Sequence, residues 1–220
     1  MRGYFITGTG TGVGKTFVTA TLARRAREFG QRVFAFKPIE TGCVRRSGRL
    51  EGEDQRALVE ASGGWPSGSL AGVYTFEPAV APAVAEGGIS LEPIVSALEA
   101  GMSRADLALV EGAGGWRVPI SREADMSSLA RRCGLPVIVV ATSTLGTINH
   151  SLLTIEAVER DGCVVAGLVL SHRPKDDFGS ADSNREQIQH RWPGRVVLYR
   201  QPSDLDVFHV EHAMPPAERP

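Results

Sequence analysis

Residues 4–16 read YFITGTGTGVGKT: a short apolar run, a turn crowded with glycine, then Lys15-Thr16 where a helix would open. Glycine lets a backbone curl so that successive N–H groups point at phosphate oxygens, and a helix N-terminus adds partial positive charge. In such a loop Gly12, Val13 and Gly14 would wrap the phosphates of a nucleotide, with Phe17 following in the first helical turn. Lys15 would reach the β- and γ-phosphates, and the Thr16 hydroxyl would ligate Mg²⁺. Counted back from Gly14-Lys15, the first glycine of the usual G-x-x-x-x-G-K-T spacing falls on Thr9, with Gly8 one residue early. The loop is therefore one residue longer than usual when measured from Gly8.

Outward from this loop, apolar runs of strand length occur at 4–7, 32–37, 107–111, 136–142, 164–171 and 196–200. They alternate with helix-length amphipathic stretches at 15–29, 54–61, 91–103, 124–133, 149–161 and 182–191. The strands are rich in Val, Ile and Leu on both faces, as in a parallel sheet covered from both sides. The expected fold is α/β: a P-loop NTPase-like, doubly wound, mainly parallel sheet with helices on both faces. Residues 1–220 are expected to form one ATP-binding domain. Gly- and Pro-rich stretches at 63–72 and 77–88 read as surface excursions, and the final MPPAERP as a frayed tail.

Composition narrows the function. A net charge of −1, from 24 basic and 25 acidic side chains, leaves no polyanion footprint, so no nucleic-acid partner is expected. Cys43, Cys133 and Cys163 are odd in number and far apart, which suits a reducing compartment and argues against a disulfide framework or zinc site. The opening MRGYFITGTG is apolar over too short a stretch for a signal peptide, and 135–141 is too short to cross a bilayer. A cytoplasmic protein with no membrane partner is the expectation. The five histidines show no ligand spacing, and the three tryptophans read as packing residues.

In open α/β sheets ligands sit beyond the carboxyl ends of the strands, so polar residues there carry weight. RVFAFKP ends in Lys37, with Thr41 and Gly42 shortly after. That lysine could snorkel to solvent, or neutralise charge on a transferring phosphoryl group. Asp54 follows in GEDQRA, where it could also be a first-turn helix acid. DLALVEGAGG ends in Glu111, Gly112, Ala113 and Gly114: an acid at the second metal-ligand position, then small residues that let backbone approach a ligand. PVIVVATSTLGTINH leads through Gly146 to Asn149 and a new helix, which could take an anion or be an ordinary cap.

GTGTGVGKT, KPIETG, Asp54, VEGAGGW and LGTINHSLLT occur in an order and spacing that resemble the dethiobiotin synthetase family, over residues 4–171. The resemblance implies an ATP-dependent ligase of biotin biosynthesis. In that reaction a 7,8-diaminopelargonate amine takes up CO₂ as a carbamate. ATP converts the carbamate to a carbamic–phosphoric anhydride, and the second amine closes the ring. It also implies catalytic roles for Lys37, Lys15 and Thr11, with Thr16, Asp54 and Glu111 as Mg²⁺ ligands. Thr41, Gly146 and Asn149 would bind substrate, the latter two from the second subunit of a homodimer. Ser171, His172, Gln201 and Pro202 fall where the family contacts the base.

The chain departs from the family at several of these points. Gly10 stands where aspartate is frequent, Ala81-Pro82 where a Ser-Pro pair is common, and Ser171 where an asparagine usually reads the adenine edge. The rival readings are a P-loop ATPase switch and a nucleotide-binding regulator without ligase activity. Switch ATPases carry an additional lysine near the start of the loop, absent from Gly8 to Gly14. N-K-x-D, which a GTPase would need, is also missing. Ser171 predicts a relaxed base preference: turnover with CTP and GTP should approach that with ATP at equal concentrations. A strong preference for ATP alone would reject this.

Overall fold

The computed structural model describes residues 3–85, 88–171 and 180–208. Its centre is a six-stranded sheet in the order β10-β9-β8-β1-β7-β2, every neighbouring pair parallel. The strands are β1 (Gly3–Gly8), β2 (Val33–Phe36), β7 (Leu107–Gly115), β8 (Val137–Thr142), β9 (Val165–Ser171) and β10 (Val196–Leu198). The α-helices among the described residues are α1 (Lys15–Glu28), α2 (Glu53–Ala61), α3 (Glu92–Met102), α4 (Met126–Cys133), α5 (Thr147–Arg160) and α6 (Ala181–Arg191). The expected alternation and doubly wound sheet are both present.

Side chains alternate across the strands, as a two-residue period requires. Phe5, Phe34, Phe36, Ala108 and Val110 join one buried cluster with residues of α3, α4, α5 and α6. Tyr4, Ile6, Val33, Ala35, Leu107 and Leu109 join another with α1, α2, Leu205 and Phe208. Burying each large apolar side chain contributes roughly 1.5–3 kcal/mol, so the two layers together hold the sheet rigid.

β1 lies between β7 and β8, and the chain winds from it in opposite directions. This reversal opens a crevice beyond the strand ends, where ligands sit in open α/β sheets. The register places Ile6 beside Glu111 and Gly8 beside Gly115, so the glycine-rich turn emerges next to the glycines that end β7.

Four short strands lie outside the sequence reading. β3 (Ile39–Thr41) pairs in parallel with β6 (Tyr74–Phe76), and β4 (Val44–Arg46) pairs antiparallel with β5 (Arg49–Glu51). The hairpin of β4 and β5 projects with mostly exposed side chains. Three-residue strands are too short for a period of two to register, and the hairpin has no buried face to produce one. Within 77–85 the chain stays largely at the surface, and Ala79 to Pro82 line the cavity described below.

Gly101 in α3 lies against the ring of Phe34, which is fully buried and stacked on Phe36 at 5.0 Å. A Cβ there would run into that ring. Gly101→Ala should gain up to ~1 kcal/mol of helix propensity but lose about 1–3 kcal/mol to overpacking. The expected result is a lower Tm; an unchanged or higher Tm would show that Phe34 can yield.

Candidate active site

The phosphate loop is tethered at its start by the Thr9 N–H, which donates to Val140 O on β8 at 2.9 Å. It closes at Gly14, whose φ of 97° is left-handed and whose position caps α1 without a side chain. Only glycine tolerates that backbone cheaply, and a Cβ would also stand 2.6 Å from the Ser171 hydroxyl. The second glycine run packs against the first. A Cβ on Gly115 would lie 3.3 Å from Gly8 O, so the end of β7 can approach the loop only because it has no side chain. Gly10 differs: nothing lies within 4 Å of a Cβ there, so the fold does not require its glycine.

Two side chains from other elements reach Glu111, which has 0% exposure in the middle of β7; the strand runs on to Gly115 rather than ending at the acid. The Thr16 hydroxyl, in the first turn of α1, donates to Glu111 Oε1 at 2.7 Å. Lys37, just past β2, donates from Nζ to the same oxygen at 2.9 Å. The same ammonium pairs with Asp54 in the first turn of α2. Glu111 Oε2 is buried and has no hydrogen-bond partner among the described residues. A buried carboxylate oxygen without a donor is costly unless a ligand meets it.

The two lysines respond to burial differently. Burial lowers Lys15 to about 8; nearby Lys37 pushes the same way, while Glu111 and Asp54 oppose it. Its Nζ donates to Gly10 O at 2.9 Å, a neutral partner. Lys37 is also pressed downward by burial, but the carboxylates of Glu111 and Asp54 outweigh this and hold it above the ordinary lysine value. Lys37 is thus a fixed cation, whereas Lys15 makes no ion pair among the described residues.

All of these side chains except Glu111, which lies behind the wall, border a cavity of about 580 Å³, of a size suited to a small ligand. Thr11, Gly12, Gly14, Lys15, Thr16, Phe17, Lys37, Thr41, Asp54, Ala113 and Gly114 line it. Val13 is buried beneath the loop, where a Cβ on Gly8 would strike it. Gly112 faces the core against Phe5 rather than the cavity. Ser171 sits behind the loop at Gly14, and His172 lies outside the described residues. Gln201 and Pro202 are exposed in the turn after β10, where Asp204 accepts from the backbone N–H groups of Arg200 and Gln201. Nearby, Tyr199 meets the exposed Phe17 edge-on at 5.1 Å.

Gly146 and Asn149 stand apart from this cavity. Gly146 is the left-handed N-cap of α5, and both residues are exposed. Cys43, Cys133 and Cys163 are all free. Among the described residues no group of three or more His, Cys, Asp or Glu is placed to hold a metal, and no helix is long and apolar enough to cross a membrane. Thr16 and Asp54 line the cavity with a hydroxyl and a carboxylate, and the Glu111 carboxylate is buried behind them, bonded to Thr16. These are hard oxygen donors, suited to Mg²⁺ shared with nucleotide phosphates and water.

Sequence reasoning missed Glu40, which is buried, lines the cavity and accepts from the backbone N–H groups of Asp54 and Gln55. An acid beside a lysine in KPIETG gives no sequence signal of such a bond. Of the apolar stretch from Ala79 to Pro82 that lines the cavity, the sequence had marked only Ala81-Pro82, as a departure from the family's Ser-Pro pair, and had missed Ala79 and Val80.

A family described as an AAA domain matches residues 2–199. An ATP-dependent dethiobiotin synthetase of Anaeromyxobacter dehalogenans is 43% identical over 218 residues, covering 97% of this chain and 96% of that protein. One from Xylella fastidiosa is 36% identical, covering 100% of this chain and 94% of that protein. Among solved structures, the signal recognition particle receptor FtsY of Elizabethkingia anophelis superposes with a TM-score of 0.57 at 16% identity. It covers 93% of this chain, which spans 61% of the receptor's length, and the likeness is one of fold.

Lys37→Met would leave Glu111 without its cation at a position closed to water. Breaking a buried pair in this way costs about 3–5 kcal/mol, and denaturant unfolding should show a loss of that order. A midpoint unchanged from the parent would mean that Glu111 is compensated by other groups.

Proposed function

Since the chain belongs to the family of ATP-dependent dethiobiotin synthetases, we propose that it closes the ureido ring of dethiobiotin from 7,8-diaminopelargonate, CO₂ and ATP. One substrate amine bonds to CO₂ and loses a proton, giving a carbamate. A carbamate oxygen attacks the γ-phosphorus, ADP leaves, and a carbamic–phosphoric anhydride results. The second amine attacks the carbonyl carbon, phosphate departs, and the ring is closed.

The observation that carries this reading is the convergence of two lysines and a phosphate loop on one cavity, with a buried carboxylate bonded to Lys37 and Thr16 behind its wall. Carbamate and γ-phosphate are both anions, and bringing them together needs concentrated, preorganised positive charge. Lys15 would hold the β- and γ-phosphates, and Lys37 would face the carbamate and the transferring group. Thr11 and Thr41, on the cavity wall, would orient the carbamate and the substrate by their hydroxyls. The backbone from Gly12 to Gly14 would cradle phosphate oxygens, while Phe17, Ser171, His172, Gln201 and Pro202 would border the nucleoside.

Thr16, Asp54 and Glu111 would hold Mg²⁺, which supplies charge neutralisation on the phosphates when bound. The unpartnered Glu111 Oε2 supports that assignment. Gly146 and Asn149 lie away from this cavity, which favours their serving the substrate carboxylate of a partner protomer in a homodimer. A cytoplasmic setting, without nucleic-acid or membrane partners, completes the proposal.

Phosphate release from ATP and Mg²⁺ should require both bicarbonate and 7,8-diaminopelargonate, and should vanish without either. Steady release indifferent to the diamine would favour an ATPase switch, and no release under any condition a nucleotide-binding regulator.

A further inference from the structure

α2 starts without a cap of its own. Gly52 occupies the N-cap position and has no side chain to offer the free N–H groups of the first turn. Those groups are met from another element. Glu40 on β3 accepts the Asp54 N–H on Oε1 at 2.9 Å and the Gln55 N–H on Oε2 at 2.7 Å, one oxygen for each donor. Gln55 continues the connection, donating from Nε2 to Lys37 O at 3.1 Å and to Tyr74 O at 3.2 Å. The main chains of Lys37 and Asp54, whose side chains form the ion pair, are therefore tied together through Glu40 and Gln55.

The space around this clamp is shaped for it. A Cβ on Gly52 would run into the Glu40 carboxylate, and one on Gly72 into the Gln55 amide. Gly52 has φ −84° and ψ 125°, extended backbone that any residue adopts, so its glycine answers to space rather than conformation. Burial raises the proton affinity of Glu40, and the two backbone donors oppose that, holding a carboxylate in a position that disfavours charge.

We propose that Glu40 is a positioning residue of the active site: it fixes the first turn of α2 so that Asp54 faces Lys37 and the phosphate loop. It acts through Asp54 rather than as a ligand. This rests on the reading that Asp54 helps hold the metal–nucleotide complex. Partners that orient metal-binding groups are worth about 10–100-fold in affinity, the scale expected here.

The test is Mg²⁺-ADP binding by calorimetry to the full chain without diamine, compared among Glu40→Ala, Glu40→Gln, Asp54→Ala and the Glu40→Ala/Asp54→Ala double variant. Glu40→Ala should weaken binding about 10-fold or more, and Glu40→Gln, which keeps one acceptor, should lose less. In the Asp54→Ala background the same change should cost less than about 2-fold, because coupled residues are not additive. A thermal melt identifies variants that do not fold, and the conservative Glu40→Gln carries the comparison should Glu40→Ala fail. Equal losses in both backgrounds would overturn the inference, as would Glu40 variants that bind like the parent. A selective rise in KM for the diamine with Mg²⁺-ADP binding intact would also overturn it, making Glu40 a substrate contact. If Asp54→Ala itself leaves binding unchanged, the metal reading of Asp54 fails and takes this inference with it. If Asp54→Ala weakens binding and Glu40→Ala does not, only the Glu40 inference falls.

Discussion

A carboxylate shut away from water within a central strand has to be compensated where it stands, and Glu111 is that carboxylate. Ionised groups are tolerated in such places only when paired and hydrogen-bonded. One Glu111 oxygen draws Lys37 from just past β2 and Thr16 from α1, and the other meets no donor among the described residues. Strand order, loop course and helix start are joined there. β1 must lie beside β7 for the loop to lead Thr16 to Glu111, and β2 must lie on the far side of β7 for Lys37 to arrive opposite.

The two lysines divide the electrostatic work. Lys37 is locked between carboxylates, keeps its charge and serves as a permanent feature of the cavity wall. Lys15 rests on a backbone carbonyl and carries the cost of burial without a close counter-ion. An incoming phosphate would relieve that cost. The glycines that end β7 matter to the same balance. They admit the loop close to the end of the sheet.

Much of this was legible in the sequence, for reasons that particular elements make plain. The loop at 8–16 announces itself because its chemistry needs glycine, lysine and threonine at fixed spacing. The strand of Glu111 announces itself because an apolar run ends abruptly in an acid. The six strands of the main sheet are buried on both faces and read as continuous apolar runs. What escaped detection has no period or motif. β3 and β6 are three residues each, and the hairpin of β4 and β5 buries neither face. Glu40 looks like any surface acid, because its value lies in backbone N–H groups more than ten residues away that only folding brings near. The glycine-rich stretch at 63–72 likewise found a partial explanation only in three dimensions, where Gly72 makes room for Gln55.

The hairpin of β4 and β5 acquires a different significance once the bond between Glu40 and α2 is seen. That bond lies at its base, joining the chain just before the excursion to the helix just after it. The cost of closing the loop is borne at the neck, and it grows only slowly with the length of chain beyond. Its outer residues therefore make up a segment that evolution or an engineer can extend, shorten or exchange for a peptide tag. Such changes would leave the geometry of the phosphate site on the other side of the neck undisturbed, making the hairpin a natural place for lineage-specific insertions.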